Sequence, residues 1–92
     1  MNKARRKQIE KIIKKLEGLQ EEIESIHEDV EGVQSEEQEA FDNIPENLQG
    51  SERYETAEAA VDALDSAEGG FDEVTDALES IIDYLNEAMG EA

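Results

Sequence analysis

The chain has 92 residues, of which 37% are hydrophobic and 4% aromatic, and this composition predicts one small domain spanning residues 1–92. The net charge of −18, from 26 acidic and 8 basic residues, disfavours binding to nucleic acid or membrane phosphates and favours basic protein partners. Cysteine is absent, which excludes disulfides and thiolate metal sites.

Basic residues are concentrated at the start of the chain. Residues 1–15 contain seven Lys or Arg against Glu10, a net charge of +6, whereas residues 16–92 contain Arg53 against 25 acids, a net charge of −24. Charged residues recur every few positions in the basic segment, so we expect neither a signal peptide nor a membrane-spanning run. The sequence therefore predicts a soluble, cytoplasmic protein.

The first predicted element is a helix over about residues 3–41. Its apolar residues recur in alternating steps of three and four, which is the heptad pattern of a packed helix, and the period-two alternation of a strand is absent. Glu37 interrupts the pattern and Ala40 resumes it. With Ile9 as heptad position a, the a and d residues are Ile9, Ile12, Leu16, Leu19, Ile23, Ile26, Val30 and Val33.

The linker over residues 42–51 contains the signals of a chain reversal. Pro45 suits the first position of a short helical turn, and Gly50 suits a left-handed stop. Ser51 suits the N-cap of the next helix. These three residues turn the chain and need no partner for that role.

The second predicted helix covers about residues 52–89 and keeps its heptad phase throughout. Its a and d residues are Ala57, Ala60, Leu64, Ala67, Phe71, Val74, Leu78, Ile81, Leu85 and Ala88. The phase continues through Gly69 and Gly70, which favours a continuous or gently kinked helix, with a hinge or close-contact site as the alternative. Small side chains make the half nearest the linker thin; they belong to Ala57, Ala59, Ala60, Ala63 and Ala67.

The two segments predict an all-α fold, a long antiparallel helical hairpin. The preferred register places Ile26 beside Phe71 and Val33 beside Leu64, and a slip of one heptad is the alternative. Antiparallel packing would bring the basic segment beside the acids of the second helix, so that each set offsets the other. Those acids are Asp72, Glu73, Asp76, Glu79, Asp83, Glu87 and Glu91.

Three further apolar residues make the apolar face of each helix wider than a two-helix seam requires. Ile13, Val61 and Ile82 occupy e positions, and we expect them to form an oligomer interface. Two hairpins would then dimerise into a four-helix bundle or a larger coiled-coil assembly, with a partner protein as the alternative cover.

Candidate catalytic and metal motifs are weak. Glu24 and His27 have the spacing of half a di-iron carboxylate site, but they fall at b and e positions, so a solvated or flank-packed His27 is favoured. Acid pairs such as Asp76 with Glu79 could in principle hold magnesium, yet a solvated helix face explains them. We therefore predict no catalytic residues, no bound metal, no cofactor and no enzymatic activity.

The acidic part of the chain is the candidate binding surface. Residues 16–68 contain 18 acids against Arg53, a charge density approaching that of duplex DNA. This part of the chain could therefore occupy a basic nucleic-acid groove. The alternative, at least as strong, is that the acids only keep the protein soluble. Apolar residues of the linker region could supply anchors. The predicted partner-binding residues are Glu36, Glu37, Glu39, Phe41, Ile44, Leu48, Arg53, Tyr54, Glu55 and Glu58.

The stretch "EEQEAFDNIPENLQGSERYETAEAAVDALDSA", residues 36–67, resembles small uncharacterised acidic helical proteins of bacteriophage and prophage genomes. The distinctive part of the likeness is "AFDNIPENLQGSERYE". Small acidic phage proteins are frequently inhibitors of host defence, including anti-CRISPR proteins and DNA mimics. The resemblance therefore implies a phage protein that binds and inhibits a defence-related protein with a basic surface in the cytoplasm of a bacterial host.

Two other functions are compatible with the sequence. One is a self-assembling helical structural or scaffold protein, whose relevant surface is the apolar seam of Ile13, Val61 and Ile82. The other is an oligomeric sponge for a signalling nucleotide, with Arg53 or the N-terminal lysines binding the phosphates.

Overall fold

The protein consists of two long helices joined by a short turn, as described by a computed structural model over residues 1–90. Helix α1 covers Lys3–Asp42, a single 3-10 turn covers Glu46–Leu48, and helix α2 covers Glu52–Ala88. The predicted all-α helical hairpin is confirmed, and residues 1–90 contain no strand. Glu91, one of the acids expected beside the basic segment, lies outside the described residues.

Both helices begin with a side-chain cap. The Asn2 Oδ1 accepts a hydrogen bond from the Arg5 backbone N–H at 2.8 Å, and the Ser51 Oγ accepts one from the Tyr54 N–H at 3.2 Å. Each bond satisfies an amide that the first turn of a helix leaves without an internal partner. The expected N-cap role of Ser51 is therefore confirmed.

The turn differs from its prediction in the conformation of Gly50. Among residues 1–90, only Gly90 has a positive φ, of 80°, so the expected left-handed stop at Gly50 is wrong. The chain instead reverses through the 3-10 turn that follows Pro45, and the Ser51 N–H donates to the Leu48 carbonyl at 3.1 Å. Because these ordinary backbone angles complete the turn, a left-handed residue is unnecessary.

Helix α2 passes through Gly69 and Gly70 without interruption, as predicted. A Cβ added at either glycine would have no neighbour within 4 Å. The alternative that Gly69 and Gly70 permit a close contact with another part of the chain therefore has no support. Neither helix has, within residues 1–90, a segment long and apolar enough to cross a membrane.

The chain divides into two compact units, one formed by Met1–Ser25 with Asp72–Ala92 and the other by Ile26–Phe71. Within Ile26–Phe71, His27 stacks on Phe71 and the Gln34 amide donates to an Asp65 carboxylate oxygen. These contacts lie within one or two residues of the predicted pairs, whereas a one-heptad slip would move them seven residues, about 10 Å along the helix. The preferred register therefore holds in this unit.

The seam between the helices uses heptad positions a and e. Within Ile26–Phe71 the e-position Val61 is only 5% exposed, whereas the d-position residues Ile26 and Val33 are exposed. The unit of Met1–Ser25 with Asp72–Ala92 buries Leu78 and Met89, at positions a and e. Its large d-position residues remain 41–46% exposed; they are Ile12, Leu19, Val74 and Ile81.

The residues predicted to form an oligomer interface lie in this seam, within the single chain. Val61 is buried, and Ile13 and Ile82 are half-buried on the same e rows. A wide apolar arc spans positions d, a and e, and the hairpin uses its a and e side. Within the heptad rows, the large aliphatic residues left exposed in the single chain are therefore those at d, rather than Ile13, Val61 and Ile82.

Candidate functional site

The Ile26–Phe71 unit presents a dense acidic surface. It contains 14 acidic residues, and its only Lys or Arg is Arg53. Twelve of the acids are exposed, and Glu37 and Glu68 are half-buried. The heptad pattern causes this distribution, because the apolar residues of each helix occupy the positions that pack and the acids occupy the remaining ones.

The charge density of this surface is comparable to that of nucleic acid. The two helical segments of the unit together place 13 acids along about 30 Å of helix axis, or about one charge per 2.3 Å. Duplex DNA carries one charge per about 1.7 Å. On α2 the acids Glu55, Glu58, Asp62 and Asp65 follow steps of three and four residues, which places neighbours about 5–6 Å apart.

Lys and Arg do not neutralise these carboxylates by direct ion pairs. Across residues 1–90, no Lys or Arg nitrogen lies within 4.0 Å of a carboxylate oxygen, and the ion pairs present are those of His27. The expected offsetting of the basic segment by the acids of α2 therefore involves no direct ion pair among the described residues. Apart from Glu31 and Glu68, which meet His27, the acids of Ile26–Phe71 have no direct counter-ion among residues 1–90.

The predicted apolar anchors near the turn are mostly used within the chain. Phe41 and Tyr54 pack with their ring centroids 4.8 Å apart and their planes tilted by 33°. Both rings are half-buried, as is Ile44. Leu48 is 40% exposed and is the large apolar side chain that the turn presents to solvent. The turn is therefore a packed chain reversal with one exposed apolar residue.

Arg53 lies beside a surface groove of about 500 Å³. Glu37 and Glu52 also line this groove, so the net charge around it is negative. A phosphate group entering the groove would meet two carboxylates for one guanidinium. This arrangement disfavours the phosphate-binding role that the sequence suggested for Arg53.

His27 connects the two helices inside the Ile26–Phe71 unit. Its Nε2 is 3.1 Å from a Glu31 oxygen on α1 and 3.1 Å from a Glu68 oxygen on α2. Its ring lies parallel to that of Phe71, with centroids 4.7 Å apart. Since an ionised carboxylate can only accept a hydrogen bond, Nε2 donates to these oxygens when it carries the proton, in the neutral Nε2–H tautomer or in the imidazolium.

The histidine cluster differs from the motif expected at this position. Glu24 is not part of it, and the carboxylates that meet His27 are Glu31, one helical turn later, and Glu68, on the other helix. The three ligand-type atoms lie within 4.8 Å of one another. Binding of a divalent ion through Nε2 would require that nitrogen to be deprotonated. The flank-packed His27 favoured by the sequence fits this arrangement.

All ten predicted partner-binding residues lie in the Ile26–Phe71 unit. The carboxylates of Glu36, Glu39, Glu55 and Glu58 are exposed there, and Arg53 is exposed among them. Sequence reasoning missed the brace formed by His27 with Glu68, although the preferred register already placed Phe71 opposite the neighbouring Ile26. No family model, curated protein or solved structure matches this chain.

Proposed function

We propose that this protein is a non-enzymatic inhibitor that binds a basic, nucleic-acid-binding surface of another protein. The observation that carries the proposal is the acidic surface of Ile26–Phe71, where 14 carboxylates have no Lys or Arg nitrogen within 4.0 Å. A surface with this charge density competes with nucleic acid for a basic groove because it offers a similar density of negative charge.

Rigid helices favour this mode of binding. The acids lie on α1 and α2 rather than on a flexible tail, so their spacing is set before a partner arrives. The His27 brace and the contact of Phe41 with Tyr54 hold the two helices together on either side of the main acidic region. Preorganised charges bind with a smaller loss of conformational entropy than charges on a disordered chain.

The resemblance to phage and prophage proteins suggests the class of target. We infer a host protein of a bacterial cell that handles nucleic acid, such as the nuclease of a defence complex, with the acidic surface as a DNA mimic. The sponge for a signalling nucleotide has less support, because Glu37 and Glu52 flank Arg53 and would oppose a bound phosphate.

A charge-neutralised variant tests the proposal. The test variant replaces exposed acids of Ile26–Phe71 and comprises Glu39→Gln, Glu55→Gln, Glu58→Gln and Asp62→Asn. The control removes the same number of charges from the other unit and comprises Asp72→Asn, Asp76→Asn, Glu79→Gln and Asp83→Asn. Affinity capture from a bacterial lysate, read by mass spectrometry, compares both variants with the unmodified chain.

The expected result is that the unmodified chain and the control recover a basic nucleic-acid-binding protein, and that the test variant loses it. Titration of labelled duplex DNA into the recovered complex should then release the chain, because both occupy one groove. Recovery of the same protein by the test variant, or a complex that binds DNA and this chain together, would overturn the proposal.

A further inference from the structure

The d-position residues of both helices form apolar rows that the single chain leaves exposed. On α1 the row consists of Ile12, Leu19, Ile26 and Val33, and each side chain is 41–52% exposed. On α2, Val74 and Ile81 are exposed to a similar degree. We propose that a second copy of this chain packs on these rows with its helices running in the opposite direction, so that the protein is a reversed dimer.

Helix α2 has a side without acidic residues, which solubility alone does not explain. Twelve acids lie on α2, yet none occupies a d or g position. After Arg53, the d and g rows of α2 consist of Thr56, Ala60, Ala63, Ala67, Gly70, Val74, Ala77, Ile81, Tyr84 and Ala88. A helix whose acids avoid one continuous side has the pattern of a packing surface on that side.

The sizes of these residues favour a reversed copy. The row is small near the turn, at Ala63 and Ala67, and large toward the end of α2, at Ile81 and Tyr84. If two α2 helices cross with Val74 opposite its own equivalent, Ala67 meets Ile81 of the second copy and Ala63 meets Tyr84 of the second copy. Large side chains then fill the space beside small ones, which is the condition for close packing.

Helix α1 fits the same arrangement. When its row is reversed about the midpoint between Leu19 and Ile26, those two residues face each other across the dimer, and Ile12 faces Val33 of the second copy. Ile23 is adjacent to that midpoint, and the intrachain register expected from the sequence places Ile23 beside Val74. One two-fold axis can therefore pass through the centre of both rows. Two independent rows therefore give the same centre.

Charge distinguishes the reversed dimer from one in which the copies run in the same direction. The Ile26–Phe71 unit has a net charge of −13, from 14 acids and Arg53. The other unit has a net charge of −5, from 12 acids and the seven basic residues of the N-terminal segment. Same-direction packing sets −13 against −13 and −5 against −5, whereas reversal sets −13 against −5 twice. Reversal also places Lys15 beside Asp29 of the second copy, and Glu22 beside its own equivalent.

The available surface is sufficient for a stable dimer. The α2 row from Ala60 to Ala88 is about 42 Å long at 1.5 Å per residue. A contact as long as this row and as wide as two helices packed 8–10 Å apart covers roughly 800 Å² on each chain. That value equals the area per partner of a standard protein interface.

Two matched substitutions test the dimer by light scattering and sedimentation on the full chain. Ala67→Glu places a carboxylate on the d row, and Ala59→Glu makes the same change at an outward c position. The unmodified chain and Ala59→Glu should have the mass of two chains at tens of micromolar, and Ala67→Glu should dissociate roughly 100-fold more readily because it buries an unpaired charge. Circular dichroism confirms that both variants remain helical.

The chain contains no cysteine, which allows a direct test of direction. Val74→Cys should form an interchain disulfide under mild oxidation, because the axis places the two copies of this residue together, whereas Ser80→Cys should not. A single-chain mass for the unmodified protein, a mass above two chains, or equal crosslinking at both positions would overturn the proposal. These readouts need no target protein, so they are independent of the inhibitor assay.

Discussion

His27 and Phe71 form a parallel stack across the two helices, with ring centroids 4.7 Å apart and an angle of 8° between their planes. The same imidazole binds Glu31 and Glu68 through Nε2. One side chain therefore combines an apolar contact and a polar contact between α1 and α2 within the Ile26–Phe71 unit.

Replacing His27 with Ala should destabilise the protein by about 1–3 kcal/mol, because the stack and the hydrogen bond to Glu68 are lost together. Urea unfolding followed by circular dichroism measures the change. Glu24→Gln, at the nearby acid that the cluster does not use, is the control and should change stability by less than about 0.5 kcal/mol. Equal effects of the two substitutions would contradict a bracing role for His27.

Replacing Gly69 with Ala should stabilise the protein by about 1 kcal/mol, the difference in helix propensity between the two residues. The new Cβ meets no neighbour within 4 Å in the single chain, and position f faces away from the proposed dimer surface. Thermal unfolding at a fixed chain concentration gives the measurement. A loss of stability would indicate that the helix needs a flexible residue at this position.

Replacing Ser51 with Ala should cost about 1 kcal/mol, since the Tyr54 amide loses the side-chain acceptor that caps α2. Ser66→Ala is a matched control, because Ser66 is exposed inside α2 and Ala is the better helix former. Ser66→Ala should be neutral or slightly stabilising in the same urea titration. If Ser51→Ala behaves like the control, the cap does not contribute to stability in solution.

Exchanging charges should test the proposed contact of Lys15 with Asp29 across the dimer. Lys15→Glu should weaken dimerisation by about twofold to fivefold, the scale of an exposed ion pair, and adding Asp29→Lys should restore it. Sedimentation at low ionic strength gives both dissociation constants. A double variant no tighter than Lys15→Glu alone would show that these residues are not neighbours in the dimer.

The hairpin and its register could be predicted from sequence because two uninterrupted heptad patterns and a turn between them leave few ways to pack. Which positions form the seam could not be predicted, because apolar residues at d, a and e permit packing through either the a and d side or the a and e side. The seam through Val61 and the exposure of Ile26 depend on how two specific surfaces meet. His27 was missed for a related reason, since its partners on α2 are distant in the chain.

The burial of Met89 makes oxidation chemistry a reporter of helix opening. Met89 is 3% exposed near the end of α2, whereas Met1 is 55% exposed, and these are the two methionines of the chain. A peroxide reagent oxidises a thioether that it can reach, so Met1 gives the intrinsic rate and Met89 reacts when its end of the helix separates from its neighbours. The ratio of the two rates measures how often that end opens, in one native sample and without a label.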